Sequence, residues 1–125
     1  MKTEHWKEEP DDKDYPHAFN YLSLLTDPRE AKKIVTTLKR RSRIDHFKAK
    51  DLFRASCLPH LPADDHQVDK DLKKVKSGEM LSPVLLVRGA PLWVADGYHR
   101  ICASYHLDKD EDIPCRIVDR IITTQ

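Results

Sequence analysis

Five consecutive residues, Asp96-Gly97-Tyr98-His99-Arg100, carry the clearest chemical signal in the chain, between an apolar segment and a predicted helix. The first N–H groups of a helix have no partner inside it and carry the positive end of the helix dipole. Gly97 lets the backbone turn sharply and a ligand approach closely, while His99 and Arg100 add side-chain donors. The segment predicts an anion site; the alternative is an ordinary Asp-Gly turn with a solvated His and Arg.

The side chains of this turn suit phosphate chemistry. Arg100 offers a planar fork for phosphate or carboxylate, and His99 can donate, accept or carry a proton near neutral pH. Phosphoryl transfer also needs a carboxylate that orients or deprotonates the acceptor, usually together with Mg²⁺. Asp96 is the candidate for this catalytic role, and capping of the following helix is its alternative.

Two other segments could complete a pocket around the turn. One is a predicted helix that Asp64 or Asp65 caps and that carries Lys70, Lys73 and Lys74 on its polar face. The other is the loop at 58–62, in which two prolines exclude regular structure and which contains His60. We predict that Lys70, Lys74 and His60 join Gly97, Tyr98, His99 and Arg100 in binding a phosphate or nucleotide. A solvated helix face and a bystander histidine are the alternatives.

The elements that would position these residues can be read from the apolar pattern. Runs at 83–88 and 92–95, separated by Gly-Ala-Pro, predict a β-hairpin that leads into the turn, and a helix follows to about residue 105. Further strands are predicted at 44–49 and 113–118. Because helices and strands interleave without a regular βαβ repeat, the sequence predicts an α+β domain with a small mixed β-sheet packed with helices.

The first third of the chain divides into two parts. Residues 1–15 are charged and lack apolar periodicity, which predicts a flexible tail despite Trp6. Residues 16–43 predict a helical extension of two helices, of which the second begins at Asp27-Pro28 and buries one stripe of apolar side chains. The α+β domain then occupies residues 44–125.

Composition limits the class of protein. The chain has 125 residues, 39% hydrophobic and 34% charged, which is the length of one domain. No apolar run reaches membrane-spanning length and the start lacks a signal peptide's apolar region, so we expect a cytoplasmic protein. Three cysteines at unpaired spacing argue against a disulfide framework and a cysteine zinc site, and no other pattern predicts a metal site.

Positive charge is concentrated in one part of the chain. Residues 29–54 contain ten Lys and Arg residues against three acids, although the whole chain has a net charge of only +1. The basic 39–54 segment could contact nucleic-acid phosphates, whereas a solvated face is the alternative.

From about residue 48 to residue 118 the chain resembles the ParB-like nuclease/sulfiredoxin superfamily, as a stand-alone, bacterial-type member. The matching pieces are the Leu-Pro-x-Leu-Pro loop at 58–62, the helix around 68–75, the strand at 82–87, Asp96-Gly97-Tyr98-His99-Arg100 and the strand at 113–118. The resemblance implies that Gly97, His99 and Arg100 bind nucleotide phosphates. Members with an Asp-Gly-His-His-Arg turn are ATP-dependent small-molecule kinases, and their leading acid corresponds to Asp96. Sulfiredoxins have their reactive cysteine where this chain has Tyr98, so sulfiredoxin activity is not expected.

Three functions remain open from the sequence. The first is nucleotide or phosphate binding at the Asp96–Arg100 turn, with ATP or another nucleotide and Mg²⁺, and with phosphotransferase or nucleotide-hydrolase activity if the protein is an enzyme. The second is a nucleic-acid-binding or nuclease module that uses the basic 39–54 segment. The third is a non-catalytic adaptor that binds a protein partner through the helices at 17–41.

Overall fold

The structure, a computed structural model, describes residues 5–120 and has an α+β fold, as predicted. These residues form five helices and a four-stranded mixed sheet, joined by loops. The helices are α1 (Asp14–Leu25), α2 (Pro28–Arg40), α3 (Ala49–Ser56), α4 (His66–Lys76) and α5 (Tyr98–Leu107). The strands are β1 (Ile44–Lys48), β2 (Val84–Arg88), β3 (Trp93–Asp96) and β4 (Asp112–Asp119).

The strands lie in the order β1-β4-β2-β3. The predicted hairpin is confirmed, since β2 and β3 pair antiparallel. β4 pairs parallel to β2 and antiparallel to β1, so the C-terminal strand lies inside the sheet. The hairpin therefore places the end of β3, where the Asp96–Arg100 turn begins, at one edge of the sheet.

Helices cover both faces of the sheet. Alternate residues of β2 belong to different cores: Val84 and Leu86 pack with α3, α4 and α5, whereas Leu85 and Val87 pack with α1 and α2. All four of these side chains are fully buried. Such burial on both faces explains why β2 reads as a continuous apolar run rather than an alternating one. The two helices predicted as an extension therefore form a complete layer of the fold.

Helix boundaries follow the local capping signals. Asp27 accepts a hydrogen bond from the Arg29 N–H (2.7 Å) at the start of α2, and Pro28 occupies the first helical position. Of the two candidate caps for α4, Asp65 is the one used, because its carboxylate accepts from the N–H groups of Gln67 and Val68 (3.1 and 3.2 Å). These side chains satisfy N–H groups that the helix itself leaves free.

The structure differs from the predicted flexible tail over residues 5–15. Trp6 is only 2% exposed and pairs in a β-bridge with Leu81, whose N–H and C=O bond to His5 and Lys7 (both 2.8 Å). The Trp6 indole also donates to Glu111 (3.2 Å). Burial of one large aromatic side chain thus fixes a segment whose other residues are mostly charged. Residues 1–4 of that prediction lie outside the described residues.

None of the helices within residues 5–120 combines the length and apolar character needed to cross a membrane.

Candidate phosphate site at the start of helix α5

The turn between β3 and α5 requires glycine. Gly97 has φ +113°, a conformation that L side chains rarely adopt. A Cβ atom there would lie 2.8 Å from a methyl group of Val84 and 3.0 Å from Nη2 of Arg100. No side chain among residues 5–120 caps α5, so the N–H groups of its first turn remain available to a ligand.

A cavity of about 600 Å³ opens at this turn. Its walls are residues 96–100, the side of α4 that carries Gln67, Asp71 and Lys74, and residues 79–82. The N-terminal segment and the start of α1 close the remaining side, with Lys7, Asp11, Lys13, Asp14 and His17. The segment predicted as a flexible tail thus forms part of the cavity wall.

The structure brings together most of the predicted site residues. Asp96, Gly97, Tyr98, His99, Arg100 and Lys74 all line the cavity. Lys70 is exposed on α4 and does not contribute to the described lining.

His60 lies elsewhere, because its ring packs against the rings of Phe53 and Tyr105, with centroid distances of 4.0 and 4.2 Å. The 58–62 loop contacts the turn through Pro59, whose carbonyl accepts a hydrogen bond from the Tyr98 hydroxyl (2.6 Å). The prediction of a pocket lined by this loop is therefore not met by the geometry: the loop supports Tyr98 from outside the cavity.

Arg100 faces carboxylates. Its Nη2 donates to Asp96 (3.1 Å), to the Pro83 carbonyl (3.2 Å) and, at 3.5 Å, to Asp14. Its Nε is buried without a hydrogen-bond partner among the described residues. The guanidinium therefore holds Asp96 in place, and Nη2 is not the open phosphate fork that the sequence predicts.

Asp14 connects the site to α1. Its side chain is 3% exposed, and it accepts a short hydrogen bond from the Ser82 hydroxyl, which in turn accepts from the Asp11 N–H (3.0 Å). No local pattern in the sequence indicates this contact, because Asp14 and Arg100 are 86 positions apart.

Two carboxyl groups in the cavity hold their protons more tightly than in water. Burial raises the pKa of Asp96, although the Arg100 charge opposes the shift. Burial likewise raises the pKa of Asp71, against Arg100, Lys74 and His99. Asp71 is 4% exposed and has no hydrogen-bond or ion-pair partner within residues 5–120. Sequence reasoning missed Asp71, although an acid three residues after Val68 falls on the apolar side of α4 and could have revealed it.

Comparison with known proteins adds no assignment. No significant match links the chain to a family model, a curated protein or a solved structure.

Thiol chemistry at the turn has no support in the geometry. Burial raises the pKa of the Tyr98 hydroxyl, and it also raises the pKa of the Cys102 thiol one helical turn further on. A protonated, buried thiol is a poor nucleophile. Within residues 5–120, no group of three or more His, Cys, Asp or Glu side chains is arranged to hold a metal ion on its own.

The basic 39–54 segment divides into two surfaces. Lys48, Lys50 and Arg54 each lie near a carboxylate, that of Asp112 (3.4 Å), Asp110 (2.9 Å) and Asp51 (3.2 Å), respectively. The cations at 39–43 belong instead to the end of α2 and the residues after it. A hollow of about 1030 Å³ lies along α2, and its described lining comes from residues 27–41.

Proposed function

We propose that the protein binds a nucleotide, or another small phosphate ester, with a phosphate group at the start of α5. The observation that carries the proposal is the uncapped first turn of α5, which opens into a cavity of about 600 Å³. Helix N-termini bind phosphate through their free N–H groups and dipole. The volume also falls within the range of about 300–1,000 Å³ that is typical of small-molecule sites.

Side chains around the turn supply further hydrogen-bond donors. His99, Lys74 and Lys13 line the same cavity, and none of them has an ion-pair partner among the described residues. Arg100 contributes indirectly, because its Nη2 group donates to Asp96 and holds that side chain in the turn. A phosphate would therefore contact the N–H groups of α5, His99 and Lys74, rather than the Nη2 group of Arg100.

If the protein turns its ligand over, phosphoryl transfer is the reaction that these residues support. Asp96, whose pKa is raised by burial, would orient or deprotonate an acceptor hydroxyl or water next to the bound phosphate. Mg²⁺ is usually held by one or two carboxylates together with the ligand's phosphates, and Asp71 and Asp96, which line the same cavity, would supply such oxygens. The proposal agrees with the resemblance of this turn to that of the ParB/sulfiredoxin superfamily.

Thermal unfolding with nucleoside di- and triphosphates, each with Mg²⁺, and with inorganic phosphate alone tests this function. A ligand at 100 times its Kd stabilises a folded protein by about 2.7 kcal/mol. We expect Lys74→Ala and His99→Ala to weaken binding, so that each variant needs at least ten times more ligand to reach the same shift in unfolding temperature. Release of phosphate or of a nucleoside diphosphate in the same mixtures measures turnover.

Lys73→Ala is the matched control. Lys73 directly precedes Lys74 on α4, pairs with Asp69 (3.0 Å) and lies outside the described cavity lining. Removal of its side chain should therefore leave the ligand-induced shift in unfolding temperature unchanged. The proposal is wrong if no nucleotide or phosphate at millimolar concentration shifts the transition. It is also wrong if the Lys73 variant loses as much affinity as the Lys74 variant.

A further inference from the structure

We propose that the solvent face of α2 is a docking surface for double-stranded DNA, which it contacts through the phosphate backbone. This basic face consists of Arg29, Lys32, Lys33, Thr36, Lys39 and Arg40, all of them exposed. At 100° per residue these six side chains fall within about one third of the helix circumference. The opposite side of the helix carries Ala31, Ile34 and Leu38, which are buried against the sheet.

The cations of this face have few acidic partners. Among the described residues, only Arg29 lies within ion-pair distance of a carboxylate, at 3.7 Å from Asp27, and both of those side chains are more than half exposed. Lys39 lies over the ring of Tyr15 (5.6 Å). Lys48, Lys50 and Arg54 differ in this respect, because each of them lies near an acid. Among the described residues, the positive charge that lies away from carboxylates is therefore concentrated at residues 29–43 and not throughout the predicted 39–54 segment.

Helix stability does not account for this charge. Lys39 and Arg40 lie in the last turn, where cations interact favourably with the helix dipole. Arg29 lies in the first turn, where a positive charge is unfavourable by about 0.3–1 kcal/mol, whereas Lys32 and Lys33 lie beyond it, where the dipole has little effect. The helix dipole therefore favours only two of the five cations of this face.

The spacing of the cations fits a duplex. They form two groups, one at residues 29–33 and one at 39–40, with Thr36 between them. Lys32 and Arg40 are eight residues apart, which is about 12 Å along a helix. The major groove of B-form DNA is also about 12 Å wide and admits a helix. A helix that lies across the groove would therefore bring the two groups to phosphates of the two strands that border it.

Other polyanions fit this face less well. Single strands are bound by stacking on aromatic side chains, and the six residues of the face include none. The major groove of A-form RNA is too narrow for a helix. A helix that lies on a membrane needs an exposed apolar side, whereas the apolar side of α2 is buried in the core.

The DNA surface is separate from the proposed nucleotide site. No residue of α2 lines the cavity at the start of α5. Either proposal can therefore fail without the other. Measuring both duplex binding and the response to nucleotides on each variant tells the two outcomes apart.

Fluorescence anisotropy with a labelled 20-base-pair duplex of mixed sequence tests the proposal. We expect log K to fall linearly with log salt between 50 and 200 mM, with a slope of roughly −4.5 if all five cations contact phosphates. The triple variant Lys32→Ala/Lys33→Ala/Arg40→Ala should bind at least tenfold more weakly at 50 mM salt and reduce the slope by roughly 3. Its thermal unfolding and its response to nucleotides should remain those of the unmodified protein, because the three side chains are exposed and distant from the cavity.

The control variant Lys48→Ala/Lys50→Ala/Arg54→Ala removes the same charge from residues that already lie near carboxylates. We expect it to retain the affinity and the slope. The proposal is overturned if the duplex does not bind at 50 mM salt, or if both triple variants lose affinity equally. It is also overturned if a single strand binds more tightly than the duplex, or if anionic vesicles bind the protein and the duplex does not.

Discussion

Asp71 is a carboxyl group in the wall of the cavity, buried with no partner among the described residues. Arg100, Lys74 and His99 surround it and favour its ionised form, but burial opposes ionisation more strongly and raises its pKa.

The pH dependence of stability follows from this raised pKa. Between the ordinary carboxyl pKa and the raised one, the folded state holds more protons than the unfolded state, so the free energy of unfolding falls as pH rises through this window. We expect Asp71→Asn, which cannot ionise, to be more stable than the unmodified protein at pH 7. The difference should shrink toward zero below about pH 4, where the unfolded carboxyl is also protonated. Urea unfolding at a series of pH values measures both quantities.

Asp69→Asn is the control for this measurement. Asp69 lies on the same helix, is 45% exposed and pairs with Lys73, so its replacement should change stability by no more than about 0.5 kcal/mol at any pH. A loss of stability in Asp71→Asn at pH 7 would contradict the prediction, because it would mean that the Asp71 charge supports the fold through its basic neighbours.

At the scale of elements, local signals were enough to predict most of the fold. Capping residues and apolar periodicity predicted α2, α4 and the β2–β3 hairpin, because each depends on neighbours within a few positions. The β-bridge of Trp6 with Leu81 could not be predicted in this way, since it joins residues 75 positions apart. The same limit applies to Asp14 and Arg100. The sequence predicted the turn and its glycine, but not the acids that long-range packing brings to it.

The N-terminal segment should be a stabilising element. We expect Trp6→Ala to lower the free energy of unfolding by about 3–5 kcal/mol, the usual effect of truncating a buried aromatic side chain. Trp6→Phe keeps most of the apolar packing and removes the indole hydrogen bond to Glu111, so a loss of about 1 kcal/mol is expected. Equilibrium unfolding in urea compares the two variants.

A change of less than about 0.5 kcal/mol in Trp6→Ala, the level of an ordinary surface substitution, would show that the segment does not pack against the domain in solution. Lys7 and Asp11 of the same segment line the cavity, so the Trp6→Ala variant should also bind the ligand of the site more weakly.

At the scale of the whole molecule, one sheet lies between two layers of helices. The α+β class was predictable because the order of apolar runs, turns and caps is local information. The arrangement of layers was not, because the pattern of α1 and α2 shows an apolar stripe without showing which surface covers it. In the structure both helices cover the sheet face formed by Leu85, Val87 and Ala95.

A fragment that begins at Ile44 should therefore fail to fold cooperatively. Without α1 and α2, the side chains of Leu85, Val87, Ala95 and Val118 lose their cover, and the fragment would expose an apolar sheet face. We expect a broad urea transition or none, compared with a single transition for the full chain. If the fragment unfolded in one sharp transition with near-native circular dichroism, residues 16–43 would be an appendage to an independent domain.

One cysteine has a practical consequence. The chain contains three, and Cys102 and Cys115 are buried while Cys57 is exposed at the end of α3, with φ 60°. A maleimide dye should therefore attach to Cys57 alone, without any engineered substitution. Cys57 lies two residues before Pro59, which accepts the hydrogen bond from Tyr98 in the turn. The protein thus carries a natural position for a spectroscopic reporter, whose emission could follow the occupation of the turn in real time.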